Sequence, residues 1–363
     1  MSLIFYLLAV LMVTPAVVYF YFFFRRFLTL FGVDKGTKKS RTLSWILAMG
    51  IGALGIRIFD FSFLIMIHLF MTCVVMDLLN LILRRIRSKG FQRRWSILHR
   101  SGIVCVMVTV VALTWGYHNM HHIQRTVYDV DGGLSEPVKV IQVSDLHMGT
   151  VLSEKEMRDI CSRIQKEKPD ILALTGDIFD ESTSEEQMRS AVGMMSEIET
   201  TFGIYYIFGN HDVNQYVNDP AYTTESLRTA LTDAGIRVLE DEAVEITPEI
   251  SLIGRLDASD DERMPLASLT AAAEGDFILL LDHQPTDLDE NAVTGVDLQL
   301  SGHTHGGQIW PMGILSKLAG VNEEYYGLHQ IGDYRVIVSS GLAGWGYPVR
   351  TECPSEYVVV NIE

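Results

Sequence analysis

Val138-Lys139-Val140-Ile141-Gln142-Val143-Ser144-Asp145-Leu146-His147 is the stretch on which the fold turns. Four apolar, β-branched residues among the six of 138–143 predict a short buried strand, and it runs straight into a carboxylate and an imidazole two residues apart. The same arrangement recurs. Ile171–Thr175 ends at Gly176-Asp177-Ile178-Phe179-Asp180, and Ile204–Phe208 ends at Gly209-Asn210-His211-Asp212. Helical stretches lie between. Ser153 predicts an N-cap with Glu156 at the capping-box position, Ser184 opens a second helix, and Thr223–Ala234 predicts a third that stops at Gly235. Strand and helix alternate to this point, as in a parallel α/β unit.

Beyond it, short strands dominate: Arg237–Leu239, Ser251–Ile253, Phe277–Leu281, Leu298–Leu300, Val336–Ser339 and Tyr357–Ile362. Two packed sheets with helices outside accommodate both patterns, a mixed α/β and α+β class. Asp282-His283 and Gly302-His303-Thr304-His305 complete a series of five clusters. Any one of them has a bland reading as a loop carboxylate, a turn or a surface histidine, except the unusual Gly302–Gly307 run. Together, in this order and after apolar runs, they predict a two-metal hydrolytic site. Asp and His supply hard oxygen and borderline nitrogen ligands. Two divalent ions roughly 3.5–4 Å apart clamp a phosphoryl group and turn a bridging water into hydroxide near neutral pH. A shared anionic ligand offsets the repulsion between them. Gly176, Gly209, Gly302, Gly306 and Gly307 leave room for tight turns around these ligands. Asn210 offers a neutral carbonyl oxygen to a metal, and His211 beside it is placed to meet substrate.

Charge divides the chain. Residues 1–125 carry 15 Lys/Arg against 3 Asp/Glu, whereas residues 126–363 carry 14 against 42. The acidic half excludes nonspecific nucleic-acid binding, which needs clustered Lys and Arg. Cys73, Cys105, Cys161 and Cys353 match no zinc spacing and no disulfide framework. In the basic half, apolar runs near 3–24, 43–59, 61–83 and 101–117 predict about four transmembrane helices. The second is weakened by Arg57, and the first ends in Tyr-Phe-Phe-Phe-Arg-Arg, unlike a signal peptide. Basic residues concentrate between the first and second runs and between the third and fourth. Held cytoplasmic, these loops put the acidic half outside, as the exposed domain of an integral cell-membrane protein. Asp77 and Asn80, late in the third run, read as interhelical hydrogen-bonding groups. His118, His121 and His122 read as interfacial and solvated.

The order and spacing of D-x-H, G-D-x-x-D, G-N-H-D, H and G-H-x-H over residues 138–363 resemble the calcineurin-like metallophosphoesterase superfamily. The GHTHGGQI run at 302–309 and the tail Gly341…Pro348-Val349-Arg350…Pro354 resemble its membrane-anchored bacterial branch. That branch is related to transmembrane proteins with a metallophosphoesterase domain and is discussed with UDP-2,3-diacylglucosamine hydrolases. The resemblance implies a β-sandwich flanked by helices, here residues 126–363 behind the membrane region 1–125. It implies Asp145, His147 and His305 on one metal, Asn210, His283 and His303 on the other, and Asp177 bridging. His211 becomes the phosphate-contacting acid, oriented by Asp180 or Asp212. Asp180 stands where purple acid phosphatases carry a tyrosine ligand, so iron–tyrosinate chemistry is not implied. The two ions are divalent, from among Mn, Fe, Zn and Mg.

The function expected is hydrolysis of a phosphomonoester or phosphodiester by in-line attack of the bridging hydroxide. Asn210, His211 and Arg350 would contact substrate, with Arg255 a second phosphate clamp and Trp345 and Tyr347 on a loop over it. An anchor concentrates lipid-linked phosphate esters and favours a membrane or envelope substrate. A UDP-2,3-diacylglucosamine-type pyrophosphate hydrolase is the alternative, which the expected topology opposes. A non-catalytic metal-binding scaffold or sensor is the alternative of another class, and it predicts a degraded site. The region 257–274 is expected to shape the pocket. Oligomeric state is left open.

Overall fold

The computed structural model describes residues 3–57, 60–217 and 219–363, with side chains from residue 10 onward. The chain forms two compact units, divided between Trp115 and Gly116.

The first unit holds α1 (Leu3–Phe27), α2 (Lys38–Ala53), α3 (Phe61–Leu83), α4 (Lys89–Ser101) and the first part of α5 (Ile103–His121). Among the described residues, three stretches are long and apolar enough to cross a membrane: Val10–Phe31, Phe61–Leu83 and Ile103–His121. The expected span at 43–59 is not among them. Its helix, α2, has 16 residues and carries Lys38, Lys39 and Arg41 in its first turn. At 1.5 Å per residue it covers about 24 Å, short of the ~30 Å hydrocarbon layer. Residues 58 and 59 of that run lie outside the described residues. The basic segment 84–100 also differs from expectation. Most of it is the amphipathic α4, capped by Ser88, in which Trp95, Ile97 and Leu98 interleave with Arg93, Arg94 and Arg100.

α2 packs on α1 through Ser40, Ser44, Ala48 and Gly52, a buried stripe of small residues four apart that lets the two backbones approach. The Gly55 position just beyond α2 lies against Val13 of α1 and Met66 of α3. At the other ends of α1 and α3, Asp77 accepts from Arg26 Nη1 (2.5 Å) and Tyr19 Oη (2.6 Å) and pairs with His99 Nε2 (2.6 Å). Trp95 Nε1 donates to Asn80 Oδ1 (3.0 Å). α1 and α3 therefore run in the same sense with α2 returning between them, and both basic segments lie at one end of this unit. Asp77 is the interhelical hydrogen-bonding residue expected, its carboxylate surrounded by donors.

The second unit contains two six-stranded sheets. The strands are β1 (Gln124–Val130), β2 (Val138–Val143), β3 (Ile171–Thr175), β4 (Gly203–Ile207), β5 (Arg237–Val238), β6 (Glu242–Thr247), β7 (Ile250–Gly254), β8 (Phe277–Leu281), β9 (Leu298–Ser301), β10 (Gly327–Ile331), β11 (Tyr334–Val338) and β12 (Glu356–Ile362). One sheet has the order β1-β12-β2-β3-β4-β5, the other β10-β11-β9-β8-β7-β6. Within them β2, β3 and β4 are mutually parallel, as are β7, β8, β9 and β11. The sheets pack face to face through Val140, Ile171, Ala173 and Val358 from one and Leu252, Leu279, Leu300 and Ile337 from the other. The outer face of the first sheet is covered by α6 (Glu154–Glu167), α7 (Glu185–Ser196) and α8 (Thr224–Asp233), through residues such as Met157, Ile160, Met188, Ala191 and Leu227. The Ser153–Glu156 capping box forms, and Ser184 caps α7 with Gln187 as its reciprocal partner. The sandwich flanked by helices is thus as expected. β1, β6 and β10 are additions; β1 is a largely exposed edge strand without apolar alternation.

Removing the Asp77 carboxylate leaves Arg26 and His99 without their common acceptor, a penalty of about 3 kcal/mol or more for breaking such a pair away from bulk water. Asp77→Leu is expected to lower the thermal midpoint of the detergent-solubilised chain well below that of Asn80→Leu, which loses a single neutral hydrogen bond. Equal midpoints would show that the Asp77 cluster contributes little.

Candidate metal centre

The parallel strands determine where the polar side chains gather. Asp145 and His147 follow β2, Asp177 follows β3, Asn210 and His211 follow β4, His283 follows β8, and His303 and His305 follow β9. All sit just past strand C-terminal ends, where open α/β sheets place ligands. Asp145, His147, Asp177, His303 and His305 have positive φ, between 45° and 69°. Five strained non-glycine residues in one site need their surroundings to hold them there. Gly209 shows how tight the packing is, since a Cβ there would overlap the Asp177 carboxylate. Gly341, at φ 81°, would place a Cβ 2.5 Å from that of Asp145.

Two ligand groups result. Asp145, His147 and His305 offer donor atoms within 4.8 Å of one another, as do Asp177, His283 and His303. Asn210 joins the second group, its Oδ1 3.0 Å from His303 Nδ1. The structure thus brings together the seven side chains expected, in the expected division.

The ring contacts indicate which nitrogens are free. His283 Nδ1 lies 2.8 Å from the Thr175 carbonyl, which only an N–H can meet, so Nε2 carries the lone pair. That nitrogen is buried and lacks a hydrogen-bond partner of acceptable geometry, although Asp177 Oδ2 is 3.1 Å away. His305 Nδ1 faces the Ala343 carbonyl (3.3 Å), and His147 Nδ1 faces Asp180 Oδ2 (3.3 Å). Their Nε2 atoms then point at each other across 3.3 Å, with Asp145 Oδ1 3.7 Å from that of His305. Two lone pairs and a carboxylate at this separation repel unless positive charge lies among them. A divalent cation fits that donor set in both charge and type.

His211 lies at the rim, its ring centroid 5.2 Å from that of His147, between Tyr216 (5.1 Å) and Trp345 (5.3 Å). Burial alone would lower its pKa. The hydrogen bond to Glu181, at 3.0 Å from Nδ1, and the nearby Asp177 charge raise it instead. The expected orienting role of Asp180 or Asp212 is therefore corrected to Glu181. Asp180 is turned toward His147. Asp212 is committed to the backbone amides of Asp177 (2.7 Å), Gly209 (2.8 Å) and Phe179 (2.9 Å) and to Tyr206 Oη (2.8 Å), locking two ligand loops together. Glu181 directly follows the second cluster, so position alone could have suggested it.

Arg350 is also corrected. It is fully buried, out of reach of a substrate, and its Nη atoms donate to the carbonyls of His305 (3.0 Å), Ser340 (2.6 Å), Pro354 (3.0 Å) and Ala343. Burial pulls its pKa down to about 10, so it stays charged at neutral pH and fixes the loop of a metal ligand. Asn119, near the end of α5, extends this clamp by donating to the Arg350 carbonyl (3.1 Å) and that of Cys353 (3.2 Å). No sequence signal marks Asn119. Arg255 is likewise buried, on Asp282 (3.3 Å) and the Met264 carbonyl (3.0 Å). Ser259, in the 257–274 region, meets Gln215 (3.3 Å) beside the Asn210–Tyr216 loop. His121 pairs with Glu156 at 2.8 Å and takes no part.

Comparison with known proteins agrees with this geometry. Residues 138–307 match the family model for calcineurin-like phosphoesterases. An uncharacterized metallophosphoesterase of Aquifex aeolicus is 33% identical over 235 residues, covering 62% of this chain and 85% of that protein. An uncharacterized metallophosphoesterase of Campylobacter jejuni is 28% identical over 236 residues, 63% of this chain and 60% of its own length. A transmembrane protein with metallophosphoesterase domain from Danio rerio is 26% identical over 285 residues, 72% of this chain and 62% of the relative. The chain thus spans less than two thirds of the Campylobacter and Danio proteins. With the family match ending just past His305 and one residue in three shared along most of the Aquifex protein, the chain belongs to the calcineurin-like metallophosphoesterase family.

Proposed function

We propose that this chain hydrolyses phosphomonoesters or phosphodiesters at a membrane surface. The observation that carries this reading is the pair of ligand groups facing one another at the strand ends, with Asp177 between them and His211 beside them. A metal-binding scaffold needs the ligands alone; a carboxylate-supported histidine at the rim is what a hydrolase adds. Two divalent ions, when bound, supply charge for the phosphoryl oxygens and an acidified water as nucleophile. Asp145, His147 and His305 would hold one, and Asn210, His283 and His303 the other, with Asp177 shared. The protein's own part is then proton delivery and positioning. Glu181 accepts a hydrogen bond from His211 Nδ1–H and favours the protonated imidazole, leaving Nε2–H to donate to a phosphoryl or leaving oxygen. Trp345 and Tyr216 flank the ring and restrict its rotation.

Membrane placement of the substrate is supported by the three long apolar helices and by relatives named transmembrane proteins. In this reading the short α2, returning antiparallel between α1 and α3, is a fourth crossing, which puts both basic segments on the cytoplasmic side and the phosphoesterase unit outside. Protease added to intact cells should then degrade the second unit; protection until lysis would reverse this orientation.

A metal-reconstituted screen over p-nitrophenyl phosphate, bis-p-nitrophenyl phosphate, nucleotides, a UDP-linked lipid and phospholipids tests the activity directly. Asp177→Asn should lower kcat by about 10³-fold or more, since it removes the shared anionic ligand. It should also reduce bound metal measured by mass spectrometry. Wild-type turnover in this variant would remove the catalytic assignment.

The proton-donor role has a separate signature. General acid catalysis contributes about 10²–10⁴-fold, and most where the leaving group is a poor one. His211→Asn should slow an alkyl phosphate far more than p-nitrophenyl phosphate, and Glu181→Gln should do the same by about tenfold. A uniform loss across leaving groups would assign both residues to binding.

A further inference from the structure

One stretch of the phosphoesterase unit is apolar where the rest of its surface is acidic. Immediately after the His303–Gln308 turn, Trp310, Met312, Ile314, Leu315, Leu318 and Val321 are all exposed, from 44% for Ile314 to 79% for Leu318. A contiguous patch of this kind on a soluble surface marks a site of association. Its helix, Met312–Leu318, has seven residues, too short to cross a bilayer, and Ile314, Leu315 and Leu318 share one of its faces. The opposite face is fixed to the domain. The Gly313 position packs on the Tyr325 ring, and its amide donates to Glu352 Oε2 (2.9 Å). Trp310 N donates to Thr351 Oγ1 (3.0 Å). The segment is therefore held rigidly with its apolar side outward.

What covers it follows from where it is fastened. Thr351 and Glu352 adjoin Arg350, whose amide donates to the Gly116 carbonyl of α5 (3.0 Å). A Cβ on Gly116 would come 2.7 Å from Thr351 Cγ2. Gly116 lies in Ile103–His121, one of the three helices apolar enough to span a membrane. Its neighbour Tyr117 is 54% exposed, as an interfacial aromatic residue would be. The patch is thus tied, through two residues, to a place where the chain leaves the bilayer. The surrounding half of the chain is strongly acidic, so charge does not draw this surface to anionic lipid; apolar contact from a tethered position does. We infer that Trp310–Val321 lies in the bilayer interface beside the metal centre and holds the cleft against the membrane, where lipid-borne phosphoesters are presented. The substrate part of this inference rests on the phosphoesterase reading; the membrane contact does not.

The test uses the full chain in nanodiscs of phosphatidylethanolamine and phosphatidylglycerol. Leu318→Cys, in a Cys353→Ser background, is labelled with the environment-sensitive fluorophore NBD. A Val293→Cys control carries the same label at another highly exposed site. At position 318 the emission should shift to the blue. Lipids carrying a nitroxide in the upper acyl chain should quench it at least threefold more strongly than at 293. A water-like, unquenched signal at 318 overturns the inference. So does a blue shift that disappears when each nanodisc holds one copy, because a second chain would then be the occupant. Hydrolysis of bis-p-nitrophenyl phosphate is followed in the same samples. Its absence with quenching intact would count against the catalytic reading, not the membrane contact.

Discussion

Mutual repulsion among His147 Nε2, His305 Nε2 and the Asp145 carboxylate is the constraint on which the centre depends. Each of these groups is oriented by a second neighbour. His305 Nδ1 is turned to a carbonyl, His147 Nδ1 to Asp180, and Asp145 accepts the His303 amide at 3.0 Å. His305 and Asp145 cannot rotate away without abandoning a buried partner, which costs about 1–3 kcal/mol per group. The fold therefore holds negative charge and lone pairs at close range and leaves a cation as the means of relief. Strained backbone at five ligands has the same origin, because the strand ends would not otherwise point their side chains inward.

This explains why the buried polar residues around the centre act as fasteners. Asp212 ties the Asp177 loop to the Gly209 loop. Gln142 crosses between the sheets, donating to Thr175 Oγ1 (3.0 Å) and to the Ser301 carbonyl (2.8 Å), just below the ligands of both. Arg350 gathers four carbonyls from the loops that carry and neighbour His305. Each brings a charge or a dipole to a place where backbone groups would otherwise be unmet. These fasteners define the distances between ligands, and those distances define the chemistry.

The ligands themselves were legible in the sequence because each follows its strand within a few residues, so strand, turn and donor are written consecutively. The β-sandwich was legible for the same reason, from apolar runs at regular intervals. Arg350 was misread because an arginine in a Gly-rich tail looks like a phosphate contact. Its burial depends on carbonyls at 305, 340, 343 and 354, which no local pattern brings together. Asp180 and Asp212 were placed on His211 by nearness in sequence, whereas the turn after β3 presents Glu181 to that ring. The helix at Lys89–Ser101 was hidden by its charges, and β1 by its exposure at a sheet edge, since both lack the apolar period that announces buried structure.

The end of α5 belongs to the same network as the metal ligands. Met120 is fully buried among the residues covering the first sheet, and Asn119 and Gly116 bond the backbone of the loop from which Arg350 reaches the His305 carbonyl. A tether needs only a flexible linker, yet here a membrane-type helix continues without a break into the core of the phosphoesterase unit. Three steps, Asn119 to Arg350 to His305, connect that helix to one of the two ligand groups. A displacement of the last turn of α5 would move Arg350, and with it the carbonyl that sets the orientation of a ligand ring. The last turn of α5 is in this sense part of the scaffold of the site, joined to it through a buried guanidinium.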